Sequence, residues 1–497
     1  MAVHKILGIE TEFGILHLNP AESNPVSASS LLINAYVNER RSNRIGWDFE
    51  DEQPGVDARG FDVYGGMAPA VESHLVNAVL TNGARYYVDH AHPEMSSPEC
   101  FDAREAVVYD KAAEVILTTS MQEATRYLPP GEELVVHKNN SDGKGNSYGC
   151  HENYLVDRKV PFARLVTQIM PFFVSRQIFT GSGKVGTEAP DMDPSDVPFQ
   201  VTQRADFFEE EVGLETTLKR PIVNTRDEPH ANSALYRRLH VIVGDATQAE
   251  VATYLKLGTT ALVLAMIDDD FLSDMPIFEH AVRAMRDVSY DLTMTRTHPM
   301  ADGGSMSALD VQWAYFEAAA KYGEQAGFEA VGGDEVGRDV MRRWEEVLDA
   351  LGRDPMELAD RLEWVAKLRL LEGFRSRHGC DWDDPRMRAL DLQYHDLRPG
   401  RNIHRRLGME RITTDAEVAT AVTAPPPDTR AYFRGRCVEK YADRIVAANW
   451  DSMVFDVGEE SLRRVPMLEP LRGTRAHVGT LLDECETAED LLRALGE

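Results

Sequence analysis

Cysteine is scarce in this sequence, and long hydrophobic runs are absent from it. The five cysteines are scattered, odd in number and contain no C-x-x-C pair, which argues against a disulfide framework or a thiolate zinc site. The longest apolar stretch, residues 254–267, includes Lys256 and is shorter than the ~20 residues that a membrane helix needs. The N-terminal apolar run ends at Glu10 and does not resemble a signal peptide. We therefore expect a cytoplasmic protein that does not associate with a membrane.

Basic residues are also in deficit. The 53 lysines and arginines face 82 aspartates and glutamates, which gives a formal charge of −29. This balance, without interleaved basic and aromatic residues, argues against a nucleic-acid partner. An acidic partner would need a locally basic groove, because salt confines charge effects to about 10 Å. Candidates for such a groove are Arg401, Arg405, Arg406 and the region of Lys219 and Arg220.

Three consecutive prolines, Pro425–Pro427, mark the clearest break in the chain, because proline disrupts both helices and strand pairing. We place a domain boundary there, with a large catalytic domain at 1–424 and a small C-terminal domain at 430–497. The segments 47–74 and 187–198 lack sustained periodicity and are predicted to be surface loops. A loop as long as 47–74 is often functional, so it is a candidate for shaping a binding site.

Strand-like segments dominate the first half of the sequence, and helix-like segments dominate the second half. Short runs rich in β-branched and aromatic residues predict strands at 5–15, 84–89, 134–138, 152–157 and 239–243. Apolar periodicity predicts helices at 248–268, 307–322 and 356–371, of which the first is apolar almost all round, as a buried helix is. This segregation favours an α+β fold in which an antiparallel sheet is backed by helices.

Two predicted strands carry charged residues with the spacing of a single sheet face. Glu10 and Glu12 are two residues apart, and Arg85, Tyr87 and Asp89 follow one another at the same spacing. Alternate residues of a strand point to the same side of the sheet. Adjacent carboxylates destabilise a sheet unless a cation neutralises them, and oxygen ligands suit Mg²⁺. The pattern fits a metal–phosphate site, while a solvated or salt-bridged surface is the commoner setting for any single one of these residues.

Several common catalytic motifs are incomplete or absent in this sequence. The sequence GSGK at 181–184 is not a P-loop, because Ile178 occupies the position of the first glycine and Val185 follows the lysine. There is no H-E-x-x-H motif, and the pair His90 and His92 has no obvious third ligand, so a zinc hydrolase is the weaker alternative. No G-x-S-x-G nucleophile elbow occurs.

The sequence resembles the family that contains the Pup ligases and the Pup deamidases/depupylases, enzymes of the prokaryotic ubiquitin-like protein pathway. The resemblance extends through essentially the whole chain. It rests on GIETEFG at 8–14, NGARYYVDHAHPE at 82–94, KNNSDGKGNSYGCHENY at 138–154, NTRDEPHA at 224–231 and RRLHVIVGDA at 237–246. The family is similar to carboxylate–amine ligases of the glutamine synthetase type. This implies a curved antiparallel sheet that cradles ATP and Mg²⁺, helices behind it and a small C-terminal domain.

The resemblance also implies roles for individual residues. Asp89 lies at the position of the catalytic aspartate. The magnesium positions are those of Glu10, Tyr87 and Glu94, and the nucleotide positions are those of Arg85, Ser97 and Trp450. Further members expected in the metal and phosphate shell are Glu12, Glu99, His151 and His240.

Within the family, the 47–74 segment and the spacing of YVDHAHPE resemble the deamidase/depupylase branch, because ligases lack the insertion and carry a longer, glycine-containing turn. The resemblance therefore implies hydrolysis of the side-chain amide of the C-terminal glutamine of Pup and cleavage of the Pup–lysine isopeptide bond in pupylated proteins. ATP would be bound without stoichiometric turnover. The alternatives are a Pup–protein ligase that forms a γ-glutamyl phosphate and a non-catalytic binding protein, and the presence of Asp89 argues against the latter.

Overall fold

The structure is a computed structural model that describes residues 1–40, 45–50, 52–62, 76–190 and 192–496. Its strands are β1 (Leu7–Glu12), β2 (Gly14–Leu18), β3 (Gly46–Trp47), β4 (Val56–Asp57), β5 (Phe61–Asp62), β6 (Asn77–Val79), β7 (Arg85–Asp89), β8 (His92–Ser96), β9 (Glu133–His137), β10 (Cys150–Asp157), β11 (Lys184–Val185), β12 (Phe199–Gln200), β13 (Phe208–Gly213), β14 (Arg220–Asn224), β15 (Tyr236–Val241), β16 (Thr297–Pro299), β17 (Ser305–Ser307), β18 (Ile445–Ala448), β19 (Ser452–Phe455) and β20 (Arg463–Pro466). Its helices are α1 (Pro25–Asn38), α2 (Ala103–Ala124), α3 (Phe162–Thr180), α4 (Glu250–Asp268), α5 (Ala281–Ser289), α6 (Ala308–Ala326), α7 (Gly333–Arg353), α8 (Glu363–His378), α9 (Pro385–Tyr394), α10 (Asp415–Ala421), α11 (Ala431–Tyr441), α12 (Arg475–Glu484) and α13 (Ala488–Leu495).

Six strands form the central sheet in the order β15-β10-β1-β8-β7-β6, and every neighbouring pair is antiparallel. Strand β1 lies inside the sheet, and burial alternates along it: Ile9 and Thr11 are buried, whereas Glu10 and Glu12 are partly exposed. This period of two places apolar side chains on one face of the sheet and carboxylates on the other.

Helices cover the apolar face. Helix α1 packs on β7 and β8, α2 packs on β1, and α4 packs on β10. Helix α4 is buried almost all round, as its sequence predicts. It alone among the described helices has the length and composition of a membrane-crossing segment, but its apolar window is wholly buried inside the protein, as in a core helix. The opposite face, which carries the carboxylates of β1, is called the open face below.

The C-terminal region forms its own layer beside the central sheet. Helices α11, α12 and α13 pack against a second sheet of order β20-β19-β18-β3, around a core that includes Phe433, Met453 and Leu491. Strand β3 comes from the start of the 47–74 segment and runs parallel to β18, so Trp47 enters the C-terminal core. The boundary between 424 and 430 stays a prediction, and the C-terminal layer includes a strand from the N-terminal part of the chain.

The mixture of helices and antiparallel sheets agrees with the predicted α+β fold, but the expected segregation along the chain is wrong. Helices α1, α2 and α3 all lie in the first half. Much of α2 is small or polar, so its sequence shows only a weak apolar stripe, yet the fold buries many of its residues against β1 and α4. Tertiary burial therefore stabilises a helix that periodicity alone does not predict.

Two predicted elements are each split into two in the structure. The predicted strand 5–15 is β1 and β2, because the chain leaves the central sheet at the fully buried Phe13, and β2 pairs with β9. The predicted helix 356–371 becomes a short 3₁₀ turn at Pro355–Leu358, capped by Asp354, and α8 begins only at Glu363. Of the predicted loop 47–74, residues 51 and 63–74 lie outside the described residues, and the described part includes the hairpin of β4 and β5.

Candidate active site

The open face of the central sheet collects most of the polar residues that the sequence pattern singles out. Strand register places Glu10 opposite His151 on β10 and Ser96 on β8, and places Glu12 opposite Glu94. Directly paired residues on neighbouring strands project from the same face. Going from β6 to β15, this face carries Asn77, Arg85, Tyr87, Asp89, His92, Glu94, Ser96, Glu10, Glu12, His151, Asn153, Arg238 and His240.

Three carboxylates crowd together at one end of this face and form what we call the acid cluster. Single oxygens of Glu12, Asp89 and Glu94 lie within 4.8 Å of one another. Burial and the neighbouring negative charges raise the pKa of Glu94 well above its usual value. His90 Nδ1 lies 2.8 Å from Asp89 Oδ2, and His92 Nδ1 lies 3.5 Å from Glu12 Oε2. The acid cluster therefore concentrates negative charge that a cation would stabilise.

Glu10 lies beside the acid cluster and faces two histidines. Its carboxylate and the imidazoles of His151 and His240 offer ligand atoms within 4.8 Å of one another. Burial would raise the pKa of Glu10, but the neighbouring imidazole of His151 outweighs burial and holds the pKa well below its usual range. Tyr87 Oη donates a 3.0 Å hydrogen bond to Glu10 Oε1. Burial and nearby carboxylates raise the pKa of Tyr87, so the phenol keeps its proton and orients Glu10.

A second set of contacts fixes the other side of Glu10. Arg238 Nη1 donates a 2.7 Å hydrogen bond to Asn153 Oδ1, and His240 Nδ1 lies 3.0 Å from the same oxygen. Asn153 Nδ2 donates to Glu10 Oε2 over 3.5 Å. Burial and the charge of Arg238 lower the pKa of His240 well below its usual value, so this imidazole is neutral at physiological pH.

A cleft opens at the other end of the same face, between the central sheet and the C-terminal layer. Its empty volume, with open solvent included, is about 620 Å³, and its lining includes Glu10, Ser97, His230, Arg238 and Trp450. Ser97 Oγ accepts a 3.0 Å hydrogen bond from the backbone N–H of Ile9, which fastens the end of β8 to β1. The structure thus brings Ser97 and Trp450 into one cleft, and Glu10 connects that cleft with the acid cluster.

Arg85 lies between two aromatic rings. Its guanidinium carbon is 4.0 Å from the ring centroid of Trp47 and 3.9 Å from that of Tyr87, and its Nε donates a 3.0 Å hydrogen bond to Asn77 Oδ1. Trp47 also contacts Trp450 edge to face, with ring centroids 5.2 Å apart. Sequence reasoning missed Trp47 because it begins the predicted loop. The signal that could have identified it is the presence of a tryptophan in a segment otherwise rich in acids and glycines.

Glu99 lies outside both groups of metal-ligating side chains. It accepts a 2.7 Å hydrogen bond from Arg430 Nε and also pairs with Arg434, which ties the segment after β8 to α11. Burial would raise the pKa of Glu99, but the two guanidinium groups outweigh burial and lower the pKa to about 2. The geometry is that of a structural ion pair.

The donor set fits a divalent cation. The acid cluster and Glu10 supply carboxylate oxygens, the ligands that Mg²⁺ prefers. His151 Nδ1 is buried and has no hydrogen-bond partner among the described residues, so it is available to a bound group.

An α+β protein whose antiparallel sheet joins a carboxylate cluster to a solvent-open cleft has the architecture of an enzyme with a cation-assisted site. The family model described as "Pup-ligase protein" matches residues 5–454. The chain therefore belongs to the Pup-ligase family, which confirms the resemblance read from the motifs.

Curated relatives of both family branches match the chain. A depupylase from Acidothermus cellulolyticus is 51% identical, with 99% of each chain covered. A Pup deamidase/depupylase from Mycolicibacterium smegmatis is 47% identical, with 99% of this chain and 100% of the relative covered. A Pup–protein ligase from Xylanimonas cellulosilytica is 39% identical over 82% of this chain and 90% of the ligase.

Two solved structures share the fold. The complex of the prokaryotic ubiquitin-like protein Pup with its ligase PafA matches with a TM-score of 0.81 and 31% identity, covering 97% of this chain and 92% of that one. The Pup ligase PafA in complex with ADP matches with a TM-score of 0.73 and 35% identity, covering 82% of this chain and 89% of that one. Together with the observed sheet, these matches confirm the predicted fold class.

Proposed function

We propose that this protein is a hydrolase that converts the C-terminal glutamine of Pup to glutamate and cleaves the isopeptide bond between Pup and a lysine of a pupylated protein. The observation that carries this function is the likeness to depupylases along 99% of the chain at 51% and 47% identity, against 82% of the chain for the ligase. The carboxylate-lined face supplies the groups that such a hydrolysis needs.

ATP and Mg²⁺ are the proposed cofactors, and the PafA complex with ADP supports a nucleotide in this fold. Arg85, Ser97 and Trp450 would bind the nucleotide, since all three lie in or beside the cleft. Glu10, Tyr87 and Glu94 would hold Mg²⁺, with Tyr87 acting through its hydrogen bond to Glu10. When bound, the ion would supply positive charge that neutralises the carboxylates and polarises a carbonyl oxygen.

Asp89 is the proposed catalytic residue, because the resemblance places it at the catalytic position and its side chain, at the end of β7, is more exposed than those of Glu12 and Glu94. In the nucleophilic route, its carboxylate attacks the side-chain amide carbon and forms a tetrahedral adduct. The C–N bond then breaks, and the nitrogen takes a proton and leaves as ammonia or as the lysine amine. Water hydrolyses the resulting anhydride, which releases a glutamate terminus and restores Asp89. In the alternative route, Asp89 activates the attacking water directly.

The experiment incubates the protein with Mg²⁺, ATP and Pup ending in glutamine, and follows Pup by intact mass and the nucleotide by chromatography. Conversion of the terminal amide to the acid with little ATP loss per turnover is expected. Joining of glutamate-ended Pup to a lysine, with matching ATP loss, would instead establish the ligase. Absence of both reactions would favour a non-catalytic binding protein.

The 47–74 segment is proposed to shape the substrate entrance. Two contacts of its described part support this role: Ala58 N–H donates to the carbonyl of Thr225 at 2.8 Å, and Asp57 accepts a 2.7 Å hydrogen bond from Thr225 Oγ1. Deleting residues 53–74, which keeps Trp47 against Arg85, should change the rate of Pup hydrolysis while leaving nucleotide affinity nearly unchanged. An unaltered rate would contradict the role.

A further inference from the structure

One guanidinium group joins three segments of the chain at the edge of the cleft. Arg434, in α11, is fully buried and uses all five of its N–H donors. Its Nε and Nη2 donate hydrogen bonds of 3.2 and 3.1 Å to the carbonyl of Gly83, in the turn between β6 and β7. Its Nη1 donates to Glu99 Oε1 at 3.2 Å and to the carbonyl of Trp450 at 3.1 Å, and its Nη2 also donates to Glu99 Oε2. Acceptors from three separate segments therefore fix the position of this side chain.

Glu99 supplies the negative charge in this arrangement. Its carboxylate also accepts a 2.7 Å hydrogen bond from Arg430 Nε, and its backbone carbonyl accepts a 2.7 Å hydrogen bond from Thr429 Oγ1. Glu99 follows Ser97 by two residues, and both residues line the cleft. The carboxylate thus ties the segment after β8 to two arginines of the C-terminal layer. We call the set of Glu99, Arg430 and Arg434 the latch.

The latch contacts the wall of the cleft through Trp450. The guanidinium carbon of Arg434 lies 5.0 Å from the centroid of the Trp450 ring, within the range of a cation–π contact. The same guanidinium holds the backbone carbonyl of Trp450. Trp450 lines the cleft, and its ring meets that of Trp47 edge to face. The latch therefore fixes both the backbone and the ring of a residue that is proposed to bind the nucleotide.

We propose that Glu99 and Arg434 are positioning residues that set the separation of Ser97 from Trp450 and thereby the affinity of the cleft for ATP. This inference rests on the proposed function, in which Ser97 and Trp450 bind the nucleotide from the central sheet and from the C-terminal layer. All N–H donors of Arg434 are already used, so its guanidinium acts on the nucleotide through Trp450. A displacement of about 1 Å in such a site can cost about 10²-fold.

A purely structural ion pair would behave differently. Its loss would lower the stability of the fold and leave the affinity of the folded protein for ATP unchanged. Loss of a positioning pair lowers that affinity even far below the melting temperature. It should leave the affinity for Pup unchanged, because the acid cluster lies at the other end of the sheet face from the cleft.

The test measures the binding of ATP with Mg²⁺ by titration calorimetry, well below the melting temperature of each variant. Glu99→Gln should weaken ATP binding by about 10-fold or more, and Glu99→Asp, which keeps the charge, should recover part of the loss. Arg434→Lys keeps a cation beside Glu99 but cannot reach all three acceptors, so it should weaken ATP binding to a similar extent. The matched control is Asp110→Asn, which removes a carboxylate from the buried ion pair with Lys138 and should leave ATP binding unchanged.

A double-variant cycle with Trp450→Ala identifies the route of the effect. Because the latch acts through Trp450, Glu99→Gln should add less than about twofold to the loss of ATP affinity in Trp450→Ala. Additive losses would overturn the positioning role. So would a Glu99→Gln variant that is destabilised yet binds ATP as the wild type does.

Hydrogen exchange tests the latch independently of the proposed function. In Glu99→Gln, the backbone amides of residues 447–453, between and within β18 and β19, should exchange at least about 10-fold faster than in the wild type, while those of α4 should not change. Unchanged exchange at 447–453 would overturn the latch alone. A wild type that binds no ATP would overturn the nucleotide role of the latch together with the proposed function.

Discussion

The two faces of the central sheet hold carboxylates in opposite electrostatic settings. On the covered face, Glu152 is fully buried and receives hydrogen bonds of 2.7 and 2.9 Å from both terminal nitrogens of Arg176. On the open face, the carboxylates of Glu12, Asp89 and Glu94 have no arginine or lysine within salt-bridge distance among the described residues.

The difference separates structural charge from functional charge. A buried carboxylate with a bidentate guanidinium partner is internally neutralised and fixes the packing of β10 against α3 and α4. A carboxylate cluster without such partners destabilises the empty protein and gains stability from a bound cation. The following predictions test this comparison, starting with the largest effect.

Asp89→Asn should lower the rate of Pup deamidation by about 10³-fold or more, because the amide cannot act as nucleophile or base. Nucleotide affinity should change by less than about twofold, since Asp89 lies away from the cleft. Steady-state kinetics with nucleotide titration checks both outcomes. The control is Asp349→Asn at an exposed aspartate of α7, and a variant of Asp89 with substantial residual hydrolysis would count against its assignment.

Glu152→Gln should destabilise the fold by about 3–5 kcal/mol, because it leaves Arg176 buried with an uncompensated charge. Urea unfolding measures the loss. The double variant Glu152→Gln with Arg176→Met should recover part of it, because both charges are gone. A loss below about 1 kcal/mol in the single variant would show that the covered face does not depend on this pair.

Glu99→Gln should remove about 3 kcal/mol of stability at neutral pH, because the pKa of Glu99 is about 2 in the fold against 4.5 in the unfolded chain. A lowered pKa contributes stability that is present above 4.5 and is lost as the pH falls from there towards 2. Urea unfolding at pH 7 and pH 3 should therefore show a difference from wild type that shrinks at the lower pH. A pH-independent difference would assign the effect to packing alone.

Glu94→Gln should stabilise the metal-free protein by about 1 kcal/mol, because it removes one of the crowded negative charges. A raised pKa means that the stability contribution of Glu94 is present below pH 4.5 and is lost as the pH rises. The advantage of the variant should therefore grow in thermal melts as the pH rises above 4.5. Mg²⁺ should raise the melting temperature of the wild type more than that of the variant, and the reverse would contradict the cation site.

Local spacing correctly predicted which side chains share a sheet face. Glu10 with Glu12, and Arg85 with Tyr87 and Asp89, share a sheet face because alternation along a strand needs no tertiary information. The motifs were specific enough to indicate the family. Helices α1, α2 and α3 were missed because their stability comes from packing rather than from a strong apolar stripe.

The sequence pattern did not predict contacts between segments that are far apart in the chain. Glu99 is close in sequence to the acids of the site and is therefore predicted to belong to it. The start of α11 instead brings Arg430 and Arg434 to Glu99 from more than 300 residues away. The sequence pattern predicts a loop at Trp47, whereas pairing of β3 with β18 places its ring against Arg85. In both cases contacts with segments distant in sequence decide the role of the residue.

The sequence by itself determined the chemistry present on each strand, because side-chain alternation and the identity of the ligating groups are local properties. Only the tertiary structure decided which of these groups act together. The order β15-β10-β1-β8-β7-β6 and its register bring Glu12 to Glu94 and Glu10 to His151, and bring His240 to Asn153. Register depends on which strands pair across long stretches of chain, and that pairing is selected by burial of the opposite face of the whole sheet at once.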